Sequence, residues 1–160
     1  MVYRVETEIP TIQAQGVDMS IQKNGSAVWQ GGLKDGKGTV STQSGTLTEA
    51  PYSFAKRFED ESGANPEELI GAAHASCYSM ALSMILGEAG YTPDRIASRA
   101  TVTLAPDDSG FSISAVHLET RASVPGADEA AFQDAAEKAK AGCPVSKLFN
   151  AEITLDAKLD

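Results

Sequence analysis

The residues best suited to chemistry in this sequence are its two cysteines, Cys77 and Cys143, which lie far apart among 160 residues. A thiolate is a strong nucleophile, and two separated thiols can act as a redox pair in a reducing compartment. The alternative interpretation is that both cysteines are inert and buried in the core. The count of cysteines leaves both interpretations open, so the neighbours of each cysteine must decide between them.

Cys77 lies within a segment whose composition predicts a long buried helix. Asn65 is a suitable N-cap, Pro66 suits the first helical position, and the chain is apolar or small as far as Gly87 or Gly90. Cys77 is about three turns into this helix, too far from its N-terminus for the helix dipole to lower the thiol pKa. A buried thiol at this position has a raised pKa unless a cation is brought to it.

Arg57, which precedes the helix, is the cation that the sequence offers. A guanidinium stays charged, and its fork can pair with a thiolate or with a carboxylate such as that of Glu67. Glu67 and Cys77 are about 15 Å apart along one helix, so one guanidinium cannot touch both within a continuous helix. Either the helix breaks, or Arg57 and Glu67 reach Cys77 of a partner subunit, which we favour. Otherwise Arg57 is a solvated loop residue and Glu67 only complements the helix dipole.

Cys143 stands between Gly142, which ends a second predicted helix, and Pro144. This sequence predicts an ordered chain reversal that can hold a thiol in a fixed direction. A role in resolving an oxidised Cys77 requires the two Cα atoms to lie within roughly 7 Å of each other. The sequence leaves this distance open.

Two other chemistries are conceivable at these positions. His74 and Cys77 are three residues apart on one helix face, as in the dyad of a Cys-His thiol hydrolase, but no orienting Asn or Asp is evident. His74 is more simply a satisfied helix residue. A zinc site would need Cys77, His74, His117 and Cys143, but their spacing is not that of a zinc motif. His117 is more simply structural or at the surface.

Four aromatic residues can line an apolar pocket, although such residues more often belong to the core: Trp29, Phe54, Phe58 and Tyr78.

Charge and hydropathy argue against several classes of partner. The net charge of −9 and the absence of a basic stripe argue against nucleic acid. The first twenty residues show no apolar signal-peptide region, and two separated thiols suit a reducing compartment, so we expect a cytoplasmic protein. Residues 69–86 contain small and polar side chains, including His74, and are better explained as a buried core helix than as a membrane span.

The order of predicted elements is β-β-(β)-α-β-β-α-β, which indicates an α+β fold with the long apolar helix against a mostly antiparallel sheet. Residues 1–18 lack periodicity and are expected to form a loosely ordered extension, with residues 19–160 as one domain. The other predicted segments are a hairpin at 26–42, a short strand at 46–48, a loop at 51–63, strands at 100–104 and 111–124, a helix at 128–141, and a strand at 153–157. The apolar positions of the strand at 111–124 change parity, which predicts either a bulge near Ala115 or burial of both faces.

The segments around both cysteines resemble the osmotically inducible protein C (OsmC) branch of the OsmC/Ohr superfamily of thiol peroxidases. Residues 65–82 are similar to the first-cysteine motif of that family, and residues 138–146 are similar to its second-cysteine motif. Residues 36–42 and 151–155 also match. The resemblance covers the chain from about Met19 to the C-terminus and leaves out residues 1–18.

This resemblance implies an intertwined α+β homodimer with two active sites at the subunit interface. It implies a peroxidase of oxidative and osmotic stress defence that prefers organic hydroperoxides to hydrogen peroxide and needs no metal or haem. The implied reductant is an external dithiol, with lipoylated proteins as electron donors. By position, Cys77 corresponds to the reactive cysteine and Cys143 to the resolving one, and Arg57 and Glu67 match the arginine and glutamate of the family site.

Two alternatives from other functional classes stay open. One is a stress-associated binding module whose cysteines are not catalytic, which would consume no peroxide stoichiometrically. The other is the thiol hydrolase, which would turn over esters or amides through His74. The peroxidase alone predicts a Cys77–Cys143 disulfide after peroxide treatment.

Overall fold

The computed structural model describes residues 20–160, and the expected extension at 1–18 lies outside the described residues. Within this range six strands and four helices follow one another along the chain. They are β1 (Gly25–Gln30), β2 (Lys37–Thr42), β3 (Ala50–Ser53), α1 (Phe54–Phe58), α2 (Pro66–Glu88), β4 (Arg95–Asp107), β5 (Gly110–Ser123), α3 (Glu129–Gly142), α4 (Pro144–Leu148) and β6 (Glu152–Leu159).

The strands form two three-stranded sheets, β1-β2-β3 and β4-β5-β6. The first sheet is antiparallel throughout, and β4 pairs antiparallel with β5. β6 pairs parallel with β5, because the chain returns through α3 and α4 in the crossover that a parallel pair requires. The α+β class and the mostly antiparallel pairing predicted from the sequence are therefore confirmed, with the strands divided between two sheets.

The predicted hairpin and bulge are both found. β1 and β2 pair from Gly25↔Thr42 to Gln30↔Lys37, and the connecting turn places Gly31 at a φ of 90°, in the left-handed region that favours glycine. In the second sheet the register shifts between Thr103 and Leu104, leaving Ser114 as the additional residue of β5. This bulge brings Val116 and Leu118, beyond it, into the core.

The prediction for residues 46–63 was wrong in two places. The third strand lies at Ala50–Ser53 instead of 46–48, and the expected loop contains α1. Pro51 is tolerated in β3 because that strand is paired on one side only. The side chain of Ser53 caps α1 by accepting a hydrogen bond from the Lys56 N–H. A helix of five residues is too short for hydrophobic periodicity to reveal it.

Helix α2 begins where the sequence predicts, with Asn65 Oδ1 accepting a hydrogen bond from the Glu68 N–H at 2.8 Å. By length and composition α2 could also pass for a membrane span. One face packs against β4 and α3 and supplies much of the core: Gly71, His74, Tyr78, Leu82 and Leu86.

Two apolar surfaces remain uncovered within residues 20–160. On the other face of α2, Met80 and Met84 are 76% and 60% exposed. Strand β1 is exposed along nearly its whole length, with Val28 57% exposed. A helix that is apolar on every face is typical of a buried or subunit-bridging position, so half of α2 lacks its partner within one chain.

Gly71 permits the close approach of α2 to the second sheet. A Cβ atom at Gly71 would lie 2.9 Å from the backbone oxygen of Ala100, whereas one at Gly87 would meet nothing within 4 Å. We expect Gly71→Ala to lower the free energy of unfolding by about 1–3 kcal/mol, because backbone cannot yield as a flexible side chain can. Gly87→Ala, the matched control, is expected to raise it by about 0.5 kcal/mol. Urea unfolding at one protein concentration tests both, and equal shifts in the two variants would contradict this packing.

Candidate active site

The structure brings the two cysteines together. Cys143 Sγ donates a hydrogen bond to Cys77 Sγ across 2.8 Å, and both are free thiols. Cys77 is half-buried on α2, and Cys143 is fully buried where α3 meets α4. The proximity that a resolving thiol requires, which the sequence left open, is therefore present within one chain.

Local backbone structure directs Cys143 toward α2. Its N–H donates to Ala139 O at 2.9 Å, which closes α3, and its carbonyl accepts from the Lys147 N–H at 3.1 Å, which opens α4. Pro144 occupies the first turn of α4, where a missing N–H removes no helical bond. The predicted break between two helices is therefore found at Cys143, although Gly142 is the last residue of α3 and not the residue beyond it.

Burial raises the pKa of the Cys77 thiol, and the hydrogen bond from Cys143 raises it further. The backbone N–H of Val145, at the start of α4, acts in the opposite direction and lowers the pKa. The net effect is upward, as the sequence predicts for a thiol without a cation. Within one described chain Cys77 is thus placed for reaction but favours its neutral form.

Arg57 and Glu67 form the expected pair. Arg57 Nη2 lies 2.7 Å from Glu67 Oε1, and Arg57 Nε donates to both carboxylate oxygens at 3.2 and 3.1 Å. This two-pronged contact raises the pKa of the guanidinium and holds its plane in one orientation. α2 is continuous from Pro66 to Glu88, so the pair sits about 15 Å along the helix from Cys77 of the same chain.

An apolar cavity of about 260 Å³ lies beside the Arg57 guanidinium. Its lining comprises Trp29, Leu33, Tyr52, Ser53, Phe54, Arg57, Phe58 and Pro66. Arg57 Cζ stands 5.2 Å from the centre of the Phe58 ring, a cation–π contact that further restricts the guanidinium. Three of the four aromatic residues considered from the sequence line this cavity, and Tyr78 instead lies in the core.

The two histidines have separate partners. His74 Nε2 lies 2.8 Å from Ser146 Oγ, and burial lowers the pKa of the ring. His117 is exposed, and its Nδ1 contacts Thr154 Oγ1 at 2.5 Å. His74 is thus bonded to Ser146 and not to Cys77, so the described chain forms no Cys-His dyad. In the part of the chain that the structure describes, no group of three His, Cys, Asp or Glu side chains is arranged to hold a metal ion.

Ser146 is a residue of this region that the sequence analysis did not single out. It lies three positions after Cys143, as His74 lies three positions before Cys77. That symmetric spacing is the one sequence signal that points to the pair. It becomes meaningful only once α2 and α4 are known to touch.

Comparison with known proteins gives concordant matches. The family model for OsmC-like proteins matches residues 59–158. The chain is 57% identical over 141 residues to peroxiredoxin OsmC of Escherichia coli, covering 88% of this chain and 99% of that protein. It is 31% identical over 96 residues to an organic hydroperoxide resistance protein of Xanthomonas axonopodis, covering 58% of this chain and 66% of that protein.

Solved structures share the fold. An organic hydroperoxide resistance protein of Bacillus subtilis superposes with a TM-score of 0.61 at 22% identity, covering 86% of this chain and 98% of that one. One from Elizabethkingia anophelis gives a TM-score of 0.64 at 25% identity, covering 89% and 99%. The predicted α+β fold of the OsmC type is confirmed by these likenesses.

Tyr78, the aromatic residue that does not line the cavity, is expected to make the fold less stable at alkaline pH. Its ring is fully buried, its hydroxyl has no hydrogen-bond partner among residues 20–160, and burial followed by the charge of Glu137 raises its pKa. In the unfolded chain the phenol ionises near pH 10, so above that pH the unfolded state holds fewer protons and folding weakens. We expect Tyr78→Phe to be at least as stable as the wild type at pH 7 and to lose less free energy of unfolding between about pH 9 and 11. Equally steep losses in urea titrations of both proteins would contradict the buried phenol.

Proposed function

The chain belongs to the OsmC-like protein family, and from this premise we infer that it is a cysteine-based peroxidase that reduces organic hydroperoxides, and hydrogen peroxide less well. The observation that carries the inference is the 2.8 Å approach of the Cys77 and Cys143 sulfur atoms. The relatives named peroxiredoxin and organic hydroperoxide resistance protein support the same reaction class. A binding module has no need for two thiols in contact.

The proposed reaction has three steps. The Cys77 thiolate attacks the terminal peroxide oxygen, the O–O bond breaks, and an alkoxide leaves and takes up a proton, which gives an alcohol and a Cys77 sulfenic acid. The Cys143 thiol then displaces water from that sulfur and forms a disulfide. An external dithiol, for which we propose a lipoylated protein, reduces the disulfide by exchange. In each step a sulfur atom gives up or receives the electron pair that ends in the reduced peroxide, so the proposed mechanism uses no metal or haem.

The apolar cavity beside Arg57 supports a preference for organic hydroperoxides. Its aromatic lining offers a site for a hydrocarbon tail, and each CH₂ group buried there contributes about 0.8 kcal/mol to binding. Hydrogen peroxide has no such group. The guanidinium at the edge of the cavity can hold the polar peroxide end toward a thiolate.

We propose that the working enzyme is an intertwined homodimer in which Arg57 and Glu67 of one subunit serve Cys77 of the other. Three observations support this arrangement. The pair is held about 15 Å from Cys77 of its own chain by a continuous helix. The Cys77 pKa is raised within one chain. Met80 and Met84 expose an apolar helix face that a second copy would cover.

We further propose a cytoplasmic role in oxidative and osmotic stress defence. Two cysteines that work as a redox pair and are reduced by an external dithiol suit a reducing compartment. The net charge of −9 gives nucleic acid no basic surface to bind. Residues 1–18 are proposed as an extension of the single domain that follows.

The roles of the two cysteines are separable. We expect Cys77→Ser to abolish peroxide consumption, because the attacking thiolate is lost. Cys143→Ser is expected to keep the first oxidation but to stop multiple turnover and allow Cys77 to reach sulfinic acid. The measurement is consumption of cumene hydroperoxide and of hydrogen peroxide by the reduced protein, with free thiols counted afterwards.

In the wild type, cumene hydroperoxide is expected to disappear faster than hydrogen peroxide, and both thiols are expected to be lost together. Survival of both thiols with neither peroxide consumed would exclude the peroxidase and favour a binding module. Equal consumption of the first equivalent of peroxide by the two serine variants would contradict the division of roles.

Hybrid dimers test whether Arg57 acts across the interface. Homodimers of Cys77→Ser are expected to be inactive, and homodimers of Arg57→Met to be at least about tenfold slower, because the thiolate loses its cation. A hybrid of these two variants is expected to recover about half of the wild-type rate, since one site again holds both groups. The measurement uses doubly tagged hybrids purified after co-expression.

A hybrid of Cys77→Ser with the wild type is the matched control, because it retains one complete site in either arrangement. If that control is half active while the hybrid of Cys77→Ser with Arg57→Met is no faster than the Arg57→Met homodimer, Arg57 acts within its own subunit and the proposed exchange is wrong.

A further inference from the structure

A second contact joins the two segments that carry the cysteines. His74 precedes Cys77 by three residues on α2, and Ser146 follows Cys143 by three residues on α4. His74 Nε2 and Ser146 Oγ are 2.8 Å apart, with the two residues 0% and 6% exposed. The contact therefore lies about one helical turn from the sulfur pair and is shielded from water.

The protonation of His74 follows from its surroundings. Burial lowers the pKa of the ring, which favours neutral imidazole, and Nδ1 is buried without a partner. An unpaired buried N–H is rarer in proteins than an unpaired acceptor, so we place the proton on Nε2. His74 Nε2–H then donates to Ser146 Oγ, and the edge of the ring packs against Phe149 at 5.1 Å.

This hydrogen bond attaches the Cys143 segment to α2. The bonds from the Cys143 N–H to Ala139 O and from the Lys147 N–H to Cys143 O shape the segment internally and do not anchor it to α2. Within residues 20–160, His74–Ser146 is the one hydrogen bond that joins a side chain of α2 to a side chain of α4. The backbone N–H of Val145 adds a bond from α4 to the Cys77 sulfur. Together with the sulfur contact, these bonds restrain both the position and the rotation of α4 over Cys77.

We propose that His74 and Ser146 are positioning residues for the second chemical step, in which Cys143 resolves oxidised Cys77. The inference rests on the proposed peroxidase function. In that step the S–O bond of the Cys77 sulfenic acid breaks, the S–S bond forms, and the thiol proton leaves with the hydroxide as water. The sulfur atoms start 2.8 Å apart, against about 2.05 Å in a disulfide, so a held segment needs only a small movement.

The proposal separates two rates. The pair makes no hydrogen bond to the Cys77 sulfur and acts on the attacking thiol only through the Val145 N–H, so its loss changes the attack on peroxide much less than it changes disulfide formation. A displacement of about 1 Å in a reacting group can slow a reaction by orders of magnitude, so its loss slows disulfide formation. The Cys77 sulfenic acid then survives longer, and when peroxide is in excess a second peroxide molecule oxidises it to sulfinic acid and is itself reduced to the alcohol.

A single-turnover experiment on the full chain measures both rates. Cumene hydroperoxide loss follows the attack, and the appearance of a disulfide follows the second step. We expect Ser146→Ala and His74→Phe to attack within about twofold of the wild type and to form the disulfide about tenfold more slowly. Mass spectrometry is expected to find correspondingly more Cys77 sulfinic acid. His74→Gln retains an N–H donor of similar reach and is expected to restore most of the disulfide rate.

Ser98→Ala is the matched control, because Ser98 on β4 likewise has a hydroxyl that bonds to a side chain of α2, at 2.8 Å from Ser79 Oγ, but belongs to neither cysteine segment. Urea unfolding of every variant measures general destabilisation. Two outcomes exclude the positioning role. One is that Ser98→Ala and Ser146→Ala, at equal loss of stability, slow disulfide formation equally. The other is that Ser146→Ala forms the disulfide at the wild-type rate. Absence of peroxide consumption by the wild type would instead overturn the proposed function.

Discussion

The burial of Cys77 midway along an apolar helix sets the conditions for every other feature of the site. A thiol surrounded by apolar side chains favours its neutral form, and the raised pKa of Cys77 expresses this. Chemistry at Cys77 therefore depends on charges and donors supplied by other elements. Val145 supplies one N–H from α4, and the Arg57–Glu67 pair lies at the N-terminal end of α2, about 15 Å from Cys77 of the same chain.

The same helix organises the surrounding fold. One face of α2 packs so closely on β4 that Gly71 leaves no space for a side chain, and this contact fixes the helix against the second sheet. α3 and α4 then close over that face and place Cys143 on Cys77. The other face is left apolar and exposed at Met80 and Met84. Because so much of α2 is apolar, a second copy of the chain is the natural cover.

Local sequence determined those elements whose signals are complete within a few residues. Asn65 and Pro66 start α2, and Pro144 starts α4 directly after Cys143, because caps and proline act on neighbouring backbone groups. The prediction for residues 46–63 was wrong because the structure of this segment does not follow from signals within a few residues. β3 is a short edge strand containing Pro51, and its identity comes from pairing with β2, which no local pattern encodes.

The sequence by itself determined the helix that carries Cys77, the raised thiol pKa expected there, and the residues Arg57 and Glu67 that can pair. These follow from composition, capping and the 1.5 Å rise of a helix. Only the tertiary structure decided that Cys143 meets Cys77 and that His74 binds Ser146. Such contacts join residues far apart along the chain, and they depend on how α3 and α4 pack over α2. That packing results from many small interactions between side chains, which the spacing of residues in the sequence does not encode.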